Sequence, residues 1–218
     1  MIKVCGVQFS SSLKIYDFRQ GRHKVEVNDL VIVETAQGTE VGRVIYTDKE
    51  IKPDNPEELL KEIIRVADEK DIARWKKMRE EGASYLSTFK ERTKELRLDM
   101  KPIEVELSFD GEKAIFYFTA ENRVDFRELI KVLSRTVHKQ VVMRQIGPRD
   151  EAKFLGGFGI CGQPICCNRF LTQVESISMD QARDQYASSI NANKVTGICG
   201  RLMCCLAFED QAARKEKK

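Results

Sequence analysis

The sequence predicts an α+β protein, and three features carry that prediction. Period-two apolar runs fill the N-terminus, a long charged segment with helical spacing follows, and a strand–strand–helix–strand pattern precedes a cysteine-rich end. The expected organisation is a small antiparallel β module over 1–52 and a helical arm over 56–98. A domain over 102–209 then opens with a ferredoxin-like ββαβ unit and holds Cys-rich loops at 154–170 and 197–208, before a disordered tail at 210–218.

In the first module IKVCGVQF and LKIYDF flank a Ser-rich turn at Ser10 to Ser12, and LVIVET and TEVGRVIY flank Gly38. Four or five short strands within the first 46 residues suggest a small antiparallel barrel or sheet. Lys52 to Pro56 (KPDNP) ends it, because Pro fits neither a strand interior nor a helix interior.

From Glu57 to Arg97 the chain is rich in Glu, Lys, Arg, Leu and Ala. Leu59, Leu60, Ile63, Ile64, Val66 and Ala67 make an apolar stripe at helical spacing. The reading is two helices, or one long helix broken or bent at Gly82, projecting from the body. Such an arm serves as a solvated connector or as a docking surface for a partner helix. Trp75, Tyr85 and Phe89 are read as packing residues rather than base-stacking platforms.

Next, IEVELSF alternates, Asp110-Gly111 makes a hairpin turn and KAIFYFT returns. Asp125 is expected to cap a helix, with Glu128 three positions on completing a capping box. Phe126, Leu129, Ile130, Leu133 and Val137 form one face of that helix, and QVVMRQI is a third strand. The β-β-α-β order resembles half of a ferredoxin-like fold.

An apolar content of 42% with 33% charged residues suits a soluble protein, and a net charge of +3 does not by itself mark a nucleic-acid binder. No stretch approaches the roughly 20 apolar residues of a membrane helix. The opening MIKVCGVQFSSSL lacks a basic segment before an apolar run, so a signal peptide is not expected and the predicted location is cytoplasmic. In a reducing compartment, clustered cysteines point to metal binding or thiol chemistry rather than structural disulfides. Cys5 stands alone in a strand pattern and reads as a small buried hydrophobe, but the other six of the seven cysteines lie in the last 58 residues.

Those six form a repeat. GICGQPICCNRF from Gly159 aligns without a gap on GICGRLMCCLAF from Gly197, giving G-I-C-G-x-x-x-C-C-x-x-F at an offset of 38 residues. The candidate ligands are Cys161, Cys166, Cys167, Cys199, Cys204 and Cys205. Thiolates are soft donors whose gathering is unfavourable unless a cation neutralises them. Glycines beside them let the backbone wrap closely and aim N–H groups at sulfur, and a bound metal would fold loops that have little packing of their own. An iron–sulfur cluster leads, because its wide sulfur cage accepts C-x4-C spacing. Zinc remains open although it favours C-x2-4-C pairs, and so does thiol redox chemistry.

Other motifs carry less. Gly157-Phe-Gly159-Ile-Cys-Gly162 satisfies G-x-G-x-x-G, yet it precedes Pro164 and a Cys pair instead of opening a helix in a βαβ unit. His23 and His138 are the only histidines and read as solvated. With no G-x-S-x-G, P-loop or H-E-x-x-H, a non-catalytic protein is expected. Arg144, Arg149, Lys153, Arg169 and Arg201 flank the cysteine loops and serve either to contact phosphates or to offset thiolate charge.

The run FTAENRVDFREL from Phe118, the segment RQIGPRDEAK from Arg144 and the two cysteine loops together resemble the polymerase-suppressor-type (PSP) C-terminal domain family over nearly the whole chain. The resemblance implies a non-catalytic subunit of an iron–sulfur regulatory complex, whose 4Fe-4S clusters are oxygen-sensitive. It implies RicA-like and RicF-like helical partners, promotion of mRNA processing by RNase Y, and influence on sporulation, competence and biofilm development. RNA contact would be indirect. By the same resemblance, the metal ligands map onto the six repeat cysteines. The alternative is a zinc- or redox-dependent RNA-binding protein, or an enzyme acting on RNA.

Overall fold

The computed structural model describes residues 2–9, 12–35, 38–51, 60–171, 177–185 and 195–209. The expected turn at residues 10–11, the breaker at 52–56, Leu59 and the tail at 210–218 lie outside them. The chain divides into two compact units, Met1–Gln145 and Ile146–Lys218, a division that falls inside the 102–209 range drawn from sequence.

The first unit opens with β1 (Ile2–Phe9), β2 (Ser12–Arg19), β3 (Leu30–Thr35) and β4 (Gly38–Ile51), where the apolar alternation places them. With β5 (Ile63–Val66) they make a sheet in the order β2-β1-β4-β3-β5, every neighbouring pair antiparallel. The Arg19 amide donates to the Lys61 carbonyl at 2.9 Å, and Arg19 bridges Glu62 in parallel, joining the two outer strands. The Arg19 Nε donates to the Leu60 carbonyl at the same seam, at 2.9 Å. The sheet therefore rolls towards a small barrel, which removes exposed edges. Bulges in β1 opposite β4 supply the bend. Cys5, Val7, Phe9, Phe18, Val25, Val31, Val33, Val44 and Ile63 fill the interior. Cys5 is wholly buried, as expected, and burial pushes its thiol up to about 11.

The segment from 60 to 67 differs from its helical reading. Val31, Ile32 and Val33 pair with Val66, Arg65 and Ile63, so the run is a strand. Only Ile63 of this short run enters the barrel, at 2% exposure, while Ile64 and Val66 remain exposed. The β-branched residues suit either period locally, and the unpaired edge of β3 selects the strand.

Helix α1 (Glu69–Glu95) then runs unbroken for 27 residues. Asp68 caps it: its carboxylate accepts from the Asp71 amide at 2.8 Å, and Asp71 accepts from the Asp68 amide at 3.0 Å. Gly82 does not break the helix. A Cβ there would sit 2.5 Å from the Val105 carbonyl oxygen, so glycine lets the helix lie directly on β6 (Lys101–Leu107) instead of projecting. Phe89 and Tyr85 pack into the core below, and Trp75 packs beside Ile32, Val41 and Phe109, in keeping with their reading as packing residues.

The second sheet is β6-β7-β8, with β7 (Lys113–Thr119) antiparallel to β6 and parallel to β8 (Gln140–Gln145). Helix α2 (Arg127–Val137) forms the crossover and buries Leu129, Leu133 and Val137 against Phe116 and Phe118. The ββαβ order is as read from sequence, but β7 and β8 bond directly, whereas a split crossover leaves room for a strand between them. The capping box at Asp125 does not form. The helix starts one residue late for it, with Phe126 at the cap, and Asp125 instead accepts from the Arg127 amide at 3.1 Å and pairs with that guanidinium.

The second unit holds α3 (Pro148–Leu155), α4 (Cys166–Arg169), α5 (Met179–Gln185) and a helical segment over 204–209. It has two small cores, one around Ala152, Ile165 and Cys167 and one around Ala182, Val195 and Leu206. Among the described residues no helix is long and apolar enough to cross a membrane.

Candidate metal centre

The sequence repeat is also a structural repeat. In the first copy the Gly162 amide donates to the Gly159 carbonyl at 3.0 Å and the Gly159 amide to the Gln163 carbonyl at 2.8 Å. In the second, Gly200 donates to Gly197 at 2.9 Å and Gly197 to Arg201 at 2.8 Å. A second rung matches too, Ile165 to the Gly157 carbonyl at 3.1 Å and Met203 to the Val195 carbonyl at 2.9 Å. Gly162 and Gly200 have φ of +73° and +71°, the left-handed region that a three-residue hairpin loop needs after its turn. Each hairpin tip thus carries the first cysteine, Cys161 or Cys199, and the helical turn that follows begins with the vicinal pair.

The two copies meet through equivalent residues. Phe170 and Phe208 stack edge to face with centroids 5.5 Å apart. Cys166 lies near Cys204, its counterpart. Cys167 lies near Cys204, and Cys205 lies near Cys166, which is the same relation with the copies exchanged. Equivalent residues of the two copies thus lie near one another. Cys199 and Cys204 pack against the core of Ala152, Ile165 and Cys167. The Arg149 guanidinium ties α3 to the second copy, donating to the Leu202 carbonyl at 3.1 Å.

All six thiols are free: Cys167 is buried, Cys161 is exposed and the other four are half-buried. Burial pushes the thiols of Cys166, Cys167 and Cys205 up, and neighbouring cysteines add to the rise. Lys153 and Arg149 oppose it at Cys167. Arg144 belongs to the first unit, where it lies over the Tyr117 ring. In kind, the donors fit a thiophilic ion or cluster, and thiols of both loops share one neighbourhood. No group of three or more His, Cys, Asp or Glu side chains among the described residues is gathered closely enough to hold a single ion.

The sequence reading singled out the cysteines and the glycines of this site. It did not pick out the Phe170–Phe208 contact, although both rings belong to the repeated pattern, nor Arg149 as a link from α3 to the second copy. His138 is exposed, capping the end of α2 with φ of +51°, and His23 is partly exposed.

Barrel, crossover sheet and duplicated cysteine hairpin define a class, and the chain belongs to the PSP1 family. Residues 61–146 match the PSP1 C-terminal conserved region, ending where the first unit ends, and residues 176–218 match the third domain of PSP1-like proteins. Over all 218 residues the chain is 42% identical to the Stage 0 sporulation protein YaaT (RicT) of Bacillus subtilis, spanning 79% of that protein. An uncharacterized protein of Schizosaccharomyces pombe is 22% identical over 61% of the chain, which spans 23% of that protein. No solved structure matches.

Proposed function

We propose that this chain is a RicT-like, non-catalytic, cytoplasmic subunit of a RicA–RicF–RicT-type iron–sulfur complex that promotes mRNA processing by RNase Y and has a sporulation-related role. The observation that carries the metal assignment is the meeting of two cysteine hairpins at equivalent residues, Phe170 on Phe208 with Cys166 near Cys204. Cys161, Cys166, Cys167, Cys199, Cys204 and Cys205 are the residues that would hold a 4Fe-4S cluster, either alone or with thiolates from RicA-like and RicF-like partners. When bound, such a cluster supplies an oxygen-sensitive cross-link between loops whose own packing is slight. The chain contributes the hairpins that present sulfur, the partial burial that limits water, and the Arg149 and Lys153 charges that lower the cost of gathering thiolates. Relatedness to the sporulation protein YaaT supports the developmental role.

Purification without oxygen, followed by iron, sulfide and zinc analysis and a visible spectrum, tests the assignment. Iron and sulfide in equal amounts with absorbance near the cluster bands are expected. A colourless chain holding one zinc would replace the cluster with the zinc reading. Turnover of RNA by the chain alone would make it an enzyme.

A further inference from the structure

The run from Phe118 to Leu129 carries part of the family resemblance, yet the metal reading gives it no task. In the structure it lines a cleft of about 920 Å³ together with Gln145 at the end of β8. Topology puts the cleft there. Strands β7 and β8 are parallel and α2 crosses between them, so their carboxyl ends, with Phe118 paired to Gln145, share one edge. The crevice outside the carboxyl ends of parallel strands is where open α/β sheets receive ligands. Its volume lies within the roughly 300–1,000 Å³ of small-molecule sites.

What the cleft offers depends on which of its groups are already engaged. Phe118 and Phe126 meet edge to face with centroids 5.8 Å apart and, with Val124, give it an apolar wall. The Gln145 side-chain amide donates to the Ala120 carbonyl at 2.9 Å, which ties the β7–α2 connection to β8. Asp125 and Arg127 pair with each other, the guanidinium Nε donating to Oδ1 at 3.0 Å. Arg127 chiefly, and Arg123 least, hold the Asp125 carboxyl at about 2. Glu121 and Arg123 remain. Both are exposed, and neither makes a hydrogen bond or ion pair among the described residues. The uncommitted charges are thus one of each sign, two residues apart in the chain, beside an apolar wall.

We propose that this cleft binds a free α-amino acid with a large apolar side chain. Its carboxylate pairs with Arg123, its ammonium pairs with Glu121, and its side chain lies on Val124 and Phe126. A charge-assisted hydrogen bond at each end fixes the orientation, and the apolar body leaves water. Charge balance disfavours other ligands. A phosphate dianion would meet Glu121 with one uncommitted guanidinium to offset it, and like charges brought together are costly. An amine without a carboxylate would leave Arg123 unused, and the interior of a peptide carries neither charge.

The test titrates the full chain, purified without oxygen, with L-phenylalanine and L-leucine in a calorimeter. Both should bind. N-acetyl-L-phenylalanine and L-phenylalaninamide, each lacking one charge, should bind about tenfold more weakly than L-phenylalanine. Arg123→Gln should weaken L-phenylalanine about tenfold and abolish its advantage over the amide, and Glu121→Gln should do the same against the N-acetyl form. Both side chains are exposed, so circular dichroism melts of the two variants should match the parent. Lys90→Gln, an exposed change on α1, should leave binding unaltered. No binding of either amino acid, equal binding of the blocked forms, tighter binding of phenyl phosphate, or parental affinity in either variant would overturn the proposal. Should a variant unfold, the blocked ligands on the parent chain still decide the matter.

Discussion

Replacing Gly82 by alanine distinguishes a docked helix from a projecting arm, because the two arrangements give effects of opposite sign. In an exposed helix the change stabilises by about 1 kcal/mol, since alanine loses less backbone freedom than glycine. Here the new Cβ would stand 2.5 Å from the Val105 carbonyl oxygen. A relaxed carbon–oxygen contact is about 3.3 Å, so α1 and β6 must separate by roughly 0.8 Å. That movement is felt by Phe89, wholly buried against Phe116 with ring centroids 5.1 Å apart. Overpacking of this kind costs about 1–3 kcal/mol, and subtracting the helix gain leaves a net loss of up to about 2 kcal/mol. For a chain of this size the loss corresponds to a drop in Tm of up to about 8 °C. Thermal unfolding of the full chain by circular dichroism reads it, with exposed Ala83→Gly as a control that should lose about 1 kcal/mol. A higher Tm for Gly82→Ala would refute the close approach.

Further expectations follow from packing and charge. Phe89→Ala should cost about 3–5 kcal/mol, measurable by denaturant titration, because a wholly buried ring is removed from the shared core of α1, α2 and the second sheet. Asp71 is held at about 2, below its ordinary 3.8, chiefly by hydrogen bonds from Arg65 and then by the Asp68 amide. A depressed carboxyl pKa contributes stability that is present above about pH 4 and lost as pH falls towards 2. Asp71→Asn should therefore flatten the acid limb of a stability–pH curve, and an unchanged limb would count against the pairing. A double-mutant cycle on Phe170 and Phe208 should give a coupling of about 0.5–1.5 kcal/mol, whereas zero coupling would mean that the hairpins do not meet.

Much was legible because it is written in local pattern. Strands β1 to β4 follow apolar alternation, the Asp110-Gly111 turn joins β6 to β7, and the face of α2 that is buried has helical spacing. The cysteine repeat announced two matching loops, and matching loops they are. Local pattern misled where two periods fit one run. Ile63 to Val66 reads as helix by its neighbours and becomes strand because β3 offers an unpaired edge. The cap of α2 shifted by one residue, to Phe126, whose ring packs edge to face on Phe118.

By itself, then, the sequence determined strands β1 to β4 and the β-β-α-β unit, the α+β class, the family, and six cysteines set in two equal frames. Tertiary structure alone decided that α1 lies on a sheet, that β2 and β5 close the barrel, and that Cys166 lies near Cys204. Those outcomes depend on contacts between residues far apart in the chain. Spacing along a backbone records which side chains share a face, but not which faces will meet.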